Sequence, residues 1–200
     1  SHFNLFNYIL ISFQRLSNLA DIVLYHQKIT THKNYKVMIK TILIATDFSL
    51  ESLEILKKVL KNKNEQNDGT RFNILFVSGY DMGDSIRDLL FTSKSSILGK
   101  IRSEEFCDAY SIINNKYPNL INKITCDIFT GSFQRTFNTY MEVMKIDEAY
   151  FATSKSKRLA KNQFEITNYL KKNKFVQPQE VVTQAPDFAP EKGRLAEVFL

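Results

Sequence analysis

Residues 41–49, TILIATDFS, constrain this chain more than any other stretch, because an apolar, β-branched run breaks off there in a polar turn carrying Asp47 and Ser49. Together with the preceding VMIK the run is short and almost continuously apolar, which suits a strand buried on both faces of a parallel sheet. Parallel strands need crossover connections, usually helices, that cover those faces. The carboxyl end of the strand then delivers Thr46 and Asp47 to the edge where open α/β sheets bind their ligands.

From residue 39 onward the pattern alternates between strand and helix. Ser49 is placed to cap a helix over residues 50–61, with Leu53, Leu56 and Leu60 turned inward. A polar segment ending near Gly69 leads to a second strand at 72–78. Residues 79–100, punctuated by Gly79, Gly83 and Gly99, are the least regular, with a short helix expected at 84–91. A longer helix over 103–117 puts Phe106, Tyr110 and Ile113 on one face and stops before Pro118. A third strand at 124–129, the turn Gly131-Ser132, a helix at 133–144, a fourth strand at 149–153 and a helix at 163–173 follow, and 180–183 reads as a short last strand. Repeated βα units of this kind predict an α/β fold: a three-layer open parallel sheet of about five strands with helices on both faces and right-handed crossovers.

The flanks differ from this core. Residues 1–37 read as an N-terminal amphipathic extension and linker, with Phe6, Ile9, Phe13, Leu16, Ala20 and Val23 at steps of three and four. Asn7, Gln14, Arg15 and Asp21 interrupt every window long enough for a membrane span, so none is expected. No basic residue precedes the apolar part as a secretory signal requires. Met38 immediately precedes the α/β domain, expected over 38–183, and residues 184–200, with Pro186 and Pro190, read as a C-terminal tail.

Composition removes several function classes. A hydrophobic content of 44% over 200 residues is enough for one well-formed core. The net charge of +6 permits an acidic ligand, yet Lys57, Lys58, Lys61 and Lys63 are spread over helix faces as a solvated surface, and no nucleic-acid partner is expected. Cys107 and Cys126 lack CxxC spacing and read as free thiols of a cytoplasmic protein. All three histidines, His2, His26 and His32, precede the domain, which therefore lacks a catalytic His pair and a His/Cys zinc cluster. With no P-loop, Rossmann fingerprint or nucleophile elbow, the chain reads as a non-enzyme.

The positions expected at the carboxyl edge are Thr46 and Asp47 after the first strand, Val77 and Ser78 after the second, Gly131 after the third, and 153–156 after the fourth. Asp47 has two readings: it accepts hydrogen bonds from a ribose hydroxyl or adenine amine, or it ties the turn by accepting from backbone amides. The stretch TILIATDFSLESLEILKKVL resembles the opening of the universal stress proteins, in which a strand ending in a T-D-F-S-like turn precedes a helix. FTGSFQRTFNTYMEVMKIDEAYFATSKS is similar to that family's second hallmark, a strand, a Gly-containing turn, a helix and a fourth strand feeding the nucleotide loop. The resemblance covers residues 38–183.

In the ATP-binding branch that the resemblance brings in, the fourth strand is followed by G-x2-G-x9-G-[ST]. The glycine positions fall here on Thr153, Ser156 and Ile166, and the Ser/Thr position on Thr167. Side chains at the glycine places obstruct close backbone approach to phosphates. The resemblance thus implies a non-catalytic regulatory or stress-response module with a degenerate ATP loop, no expected cofactor, and homodimerisation through 180–183. The alternative is a sensor that binds ATP or another adenine nucleotide through Thr46, Asp47, Val77, Thr153, Ser156 and Thr167, with Lys155, Lys157, Arg158 and Lys161 holding the phosphates by side chain. A third reading, nucleotide hydrolysis, has no general base beyond Asp47.

Overall fold

Strand β1 (Ile39–Ala45) is the middle of the sheet, and its three central residues, Ile42, Leu43 and Ile44, are fully buried. The computed structural model describes residues 37–66, 68–83, 91–153 and 159–183. From β1 the chain passes through α1 (Leu50–Gln66) to β2 (Arg71–Tyr80), then through α2 (Lys94–Ile101) and α3 (Glu104–Lys116) to β3 (Ile121–Phe129). It continues through α4 (Gln134–Val143) to β4 (Glu148–Ala152), then through β5 (Gln163–Phe164) and α5 (Thr167–Lys171) to β6 (Gln179–Val181). The strands lie in the order β3-β2-β1-β4-β6, all parallel, while β5 pairs antiparallel with β2. The expected open α/β sheet is thus the architecture among the described residues.

Period-two alternation divides the side chains between two cores. Ile42 and Ile44 of β1, Phe72, Ile74 and Phe76 of β2 and Tyr150 of β4 face the helices α1 and α3, meeting Leu53, Leu56, Leu60, Phe106, Ala109 and Ile113. Leu43, Leu75, Val77, Ala149 and Phe151 face the other way, toward Phe137 and Met141 of α4 and Leu170 of α5. The reversal of strand order at β1 puts α1 and α3 on one face and α4 and α5 on the other, as right-handed crossovers require. Phe106 is central to the first core: its ring meets Phe48 at 5.5 Å and Phe76 at 5.4 Å, both edge-on.

Local signals explain most element ends. Ser103 caps α3 by accepting from the Phe106 amide at 3.1 Å, and Gly69, at φ 74, makes the left-handed turn before β2. Helix α1 runs past the expected 61 to Gln66, since Lys63 and Glu65 favour helix. Helix α2 lies where irregular structure was expected, capped by Ser93, whose hydroxyl accepts from the Ser96 amide at 3.2 Å. The expected helix over 163–173 is corrected: Gln163 and Phe164 form β5, and only 167–171 is helical. Gln163 and Phe164 find partners on β2, and that tertiary pairing overrides helix propensity. The expectations for an extension over 1–37 and a helix over 84–91 lie, apart from residues 37 and 91, outside the described residues, as does the tail 184–200. No helix among the described residues is long and apolar enough to cross a membrane.

At the amino edge of the sheet, Lys63 Nζ lies 2.9 and 2.8 Å from the two carboxylate oxygens of Glu148, and the Tyr150 hydroxyl donates to Glu148 at 2.7 Å. Burial pushes the Glu148 carboxyl up, but the Lys63 and Tyr150 hydrogen bonds and the charges of Lys63 and Lys40 hold it below its ordinary value. A carboxyl so lowered stabilises the fold fully above its unfolded-state pKa, and this stabilisation is lost as pH falls through the folded-state value. Glu148→Gln is therefore expected to cost about 1 kcal/mol at neutral pH. Urea titrations should show the two proteins converging at pH values below the ordinary carboxylate range. Phe106→Ala, by contrast, removes a ring from the first core and is expected to cost about 3–5 kcal/mol at any pH in the same titrations.

Candidate functional site

The polar turn after β1 is held by its own side chains. Thr46 Oγ1 accepts from the Phe48 amide at 2.7 Å and donates to Ser52 Oγ at 2.7 Å, and Ser52 passes its proton toward the Ser49 carbonyl, also 2.7 Å away. Asp47 Oδ1 accepts from the Ser49 amide at 2.9 Å, which is the turn-tying reading of this carboxylate. The helix start thus uses the carbonyl of Ser49, which also accepts from the Ser52 amide at 3.2 Å. Phe48 sits at φ 61, a conformation uncommon for a non-glycine residue. Its buried ring, edge-on to Phe106, compensates that strain.

Beyond the carboxyl ends of β1 and β4 this turn opens on a cavity of about 180 Å³. Neighbouring crossovers leave on opposite faces there, so a crevice forms at the point of reversal. Ala45, Thr46 and Asp47 form one wall, Ser49 with Ser52 and Ile55 of α1 a second, and Ala152 of β4 with Thr153 just after it a third. Leu159, Glu165 to Asn168, Lys171 and Glu180 complete the lining. Lys171 Nζ also lies 4.8 Å from the centre of the Phe151 ring, a cation–π contact that steadies it at the rim.

Of the six residues expected at the site, Thr46, Asp47, Thr153 and Thr167 meet at this cavity. Val77 does not line it. Its side chain is fully buried in the second core, and its contribution is a carbonyl that accepts from the Thr46 amide at 3.0 Å, extending the β1–β2 ladder. Ser156 lies outside the described residues, as do Lys155, Lys157 and Arg158.

The two described glycine-loop positions are committed elsewhere. The Thr153 amide donates to the Val181 carbonyl at 3.1 Å and so belongs to the β4–β6 ladder. Ile166, at φ −87, is 2% exposed and packs in the second core with Phe151 and Leu170. Thr167 opens a helix of only five residues, whose Tyr169 and Leu170 amides both donate to the Ile166 carbonyl. The hydroxyl chain Thr46–Ser52 ends on a backbone carbonyl instead of a base, so it activates no nucleophile. No cluster of three or more His, Cys, Asp or Glu able to hold a metal occurs among the described residues.

Gln163 is the residue that sequence reasoning missed. It is 9% exposed, and its carboxamide donates to Ser78 Oγ at 2.9 Å and to the Asp47 carbonyl at 3.4 Å while accepting from the Ala160 amide at 2.8 Å. Two of these partners are 85 and 116 residues away, so no local pattern announces them. Ser52 carried a fainter signal, standing one helical turn after Ser49 at the start of a helix already expected.

The described residues define a doubly wound α/β domain with a cavity at its switch point. No protein-family model matches the chain, and no curated protein matches it. Among solved structures it is similar to the universal stress protein UspA from Lactobacillus plantarum, at 12% identity and TM-score 0.44, covering 74% of this chain and 99% of that one. It is also similar to a universal stress protein in complex with cAMP, at 14% identity and TM-score 0.41 over 72% and 98% of the two chains. A universal stress protein family member from Burkholderia pseudomallei matches at 11% identity and TM-score 0.37 over 56% and 80%. Likenesses at this level concern the fold and say nothing of activity.

The hydroxyl network makes its own prediction. Thr46→Val removes an acceptor from the Phe48 amide and a donor to Ser52, and is expected to cost about 1–3 kcal/mol. Ser52→Ala should cost less. A double-mutant cycle followed by thermal melting should show the two effects to be non-additive, because they share one hydrogen bond.

Proposed function

We propose that this chain is a non-catalytic regulatory module of universal-stress-protein type, in which the glycine positions at Thr153 and Ile166 are given over to structure and which self-associates. The observation that carries the reading is Ile166. Where the ATP-binding pattern has a glycine, this chain places a core side chain at 2% exposure, and the Thr153 amide at the preceding glycine position is spent on β6. Backbone amides committed to the fold are not free to cradle phosphates. Self-association is supported by β6, an outer strand with no partner on its far edge among the described residues, followed by Val182 at 67% exposure. An outer strand of this kind is a template for pairing with another chain.

A second reading is favoured by a specific observation: Thr46, Asp47, Thr153 and Thr167 do converge on one cavity. In that reading the chain is an adenine-nucleotide sensor whose phosphates are held by side chains. One experiment separates the two. Small molecules released from freshly purified protein are analysed by absorbance and mass, and melting is followed with millimolar ATP and Mg²⁺. The regulatory reading expects no bound nucleotide, an unmoved melting temperature, and a dimer by sedimentation. Stoichiometric nucleotide that is lost in Asp47→Ala would overturn it in favour of the sensor.

A further inference from the structure

Residues 159–167 meet the sheet in a way that no other described segment does. β5 is two residues long and runs antiparallel in a sheet whose other pairings are parallel. It takes the β2 edge that β1 leaves after Val77, because β3 holds the opposite edge as far as Gly79. The Phe164 ring lies directly on the Gly79 backbone, and a Cβ at Gly79 would also stand 2.6 Å from the Phe164 carbonyl. Only glycine admits so close an approach.

The remaining ties are several polar bonds and one partly buried ring, since Phe164 meets Phe129 and Tyr169 with ring centres 6.4 and 6.2 Å apart. The Gln163 carboxamide spans Ser78, the Asp47 carbonyl and the Ala160 amide. The Asn162 carbonyl accepts from the Asp81 amide at 2.7 Å, with Asn162 itself at φ 66, a conformation Asn tolerates better than most residues. After Phe164 the anchorage changes character: Ile166 and Leu170 are buried in the second core. A segment held by two ladder residues, one carboxamide, the Asn162–Asp81 bond and one partly buried ring opens at lower free energy than strands paired on both edges. This same segment supplies Leu159 and Glu165 to the cavity wall, and Ile166 and Thr167, which follow it directly, line the wall beside them.

We propose that residues 159–165 are a strap that releases from β2 as a unit, with Gly79 as its seat and Gln163 as its latch, and that its seating sets access to the switch-point cavity. The inference rests on that cavity being the regulatory site, and it is tested without any ligand. In the full chain with Cys107 and Cys126 replaced by Ser, Ser52→Cys places a thiol on the cavity wall at a position only 5% exposed. Its alkylation by iodoacetamide is timed alone and combined with Gln163→Leu or Gly79→Ala, alongside hydrogen exchange of peptides covering 159–167, β1 and β4. Labelling and strap exchange are expected to rise by about tenfold or more in either variant, while β1 and β4 keep their protection.

Strap exchange that rises while labelling stays constant would overturn the gating of the cavity. Protection lost in step across strap, β1 and β4 would overturn the strap as a separate unit. Ala152→Cys, on the β4 wall, repeats the labelling should Ser52→Cys disturb the Thr46 bond. A failed nucleotide assay leaves this measurement untouched, so the two readings fail separately.

Discussion

The structure depends on β1 being buried on both faces and paired on both edges. Seven residues of β1 register with β2 and three with β4, so the strand can be neither polar on one side nor displaced by one position without turning a core face outward. From that constraint the rest follows. The chain leaves β1 toward β2 and β3, returns to its other side for β4 and β6, and must carry its helices on opposite faces as it does so. The crevice beyond Ala45 and Ala152 is the space this reversal leaves, and the turn after β1 can point nowhere else.

That turn shows how core packing and site geometry are one problem. Phe48 takes a left-handed conformation and buries its ring beside Phe106, which fixes the chain direction between Asp47 and α1. Thr46 and Ser52 hold the turn from the cavity side. The carboxylate that resembles a ligand hook is, at one of its oxygens, a turn brace for the Ser49 amide. Across the cavity, Ile166 and the Thr153 amide are likewise engaged in the fold. Both walls are built largely from groups that the structure itself uses, which is why the regulatory reading is preferred over one that needs free backbone donors.

Much of the fold was legible in the sequence because the elements concerned are specified locally. Apolar runs marked β1 and β4, a helical stripe with Phe106 and Ile113 before Pro118 marked α3, and Gly69 marked the turn before β2. The candidate site was legible in part: Thr46, Asp47, Thr153 and Thr167 follow from the rule that ligands meet strand ends at the switch point, and they do line one cavity. Val77 reaches the same edge by its carbonyl and not its side chain, because that rule identifies which strand ends are near the edge but not which side chains turn toward it. Its position in the strand sends it to the second core.

The sequence alone determined the class of fold, the burial of β1 on both faces and the residue types at Thr153 and Ile166, since each is written in residues close together along the chain. Only the tertiary structure decided what became of residues 163–173. Their amino end joined β2 as a strand because Gly79 leaves room for Phe164 and because Ser78 and Asp47 offer Gln163 its partners. Those partners lie far off in sequence, and a contact between distant residues leaves no periodicity to read.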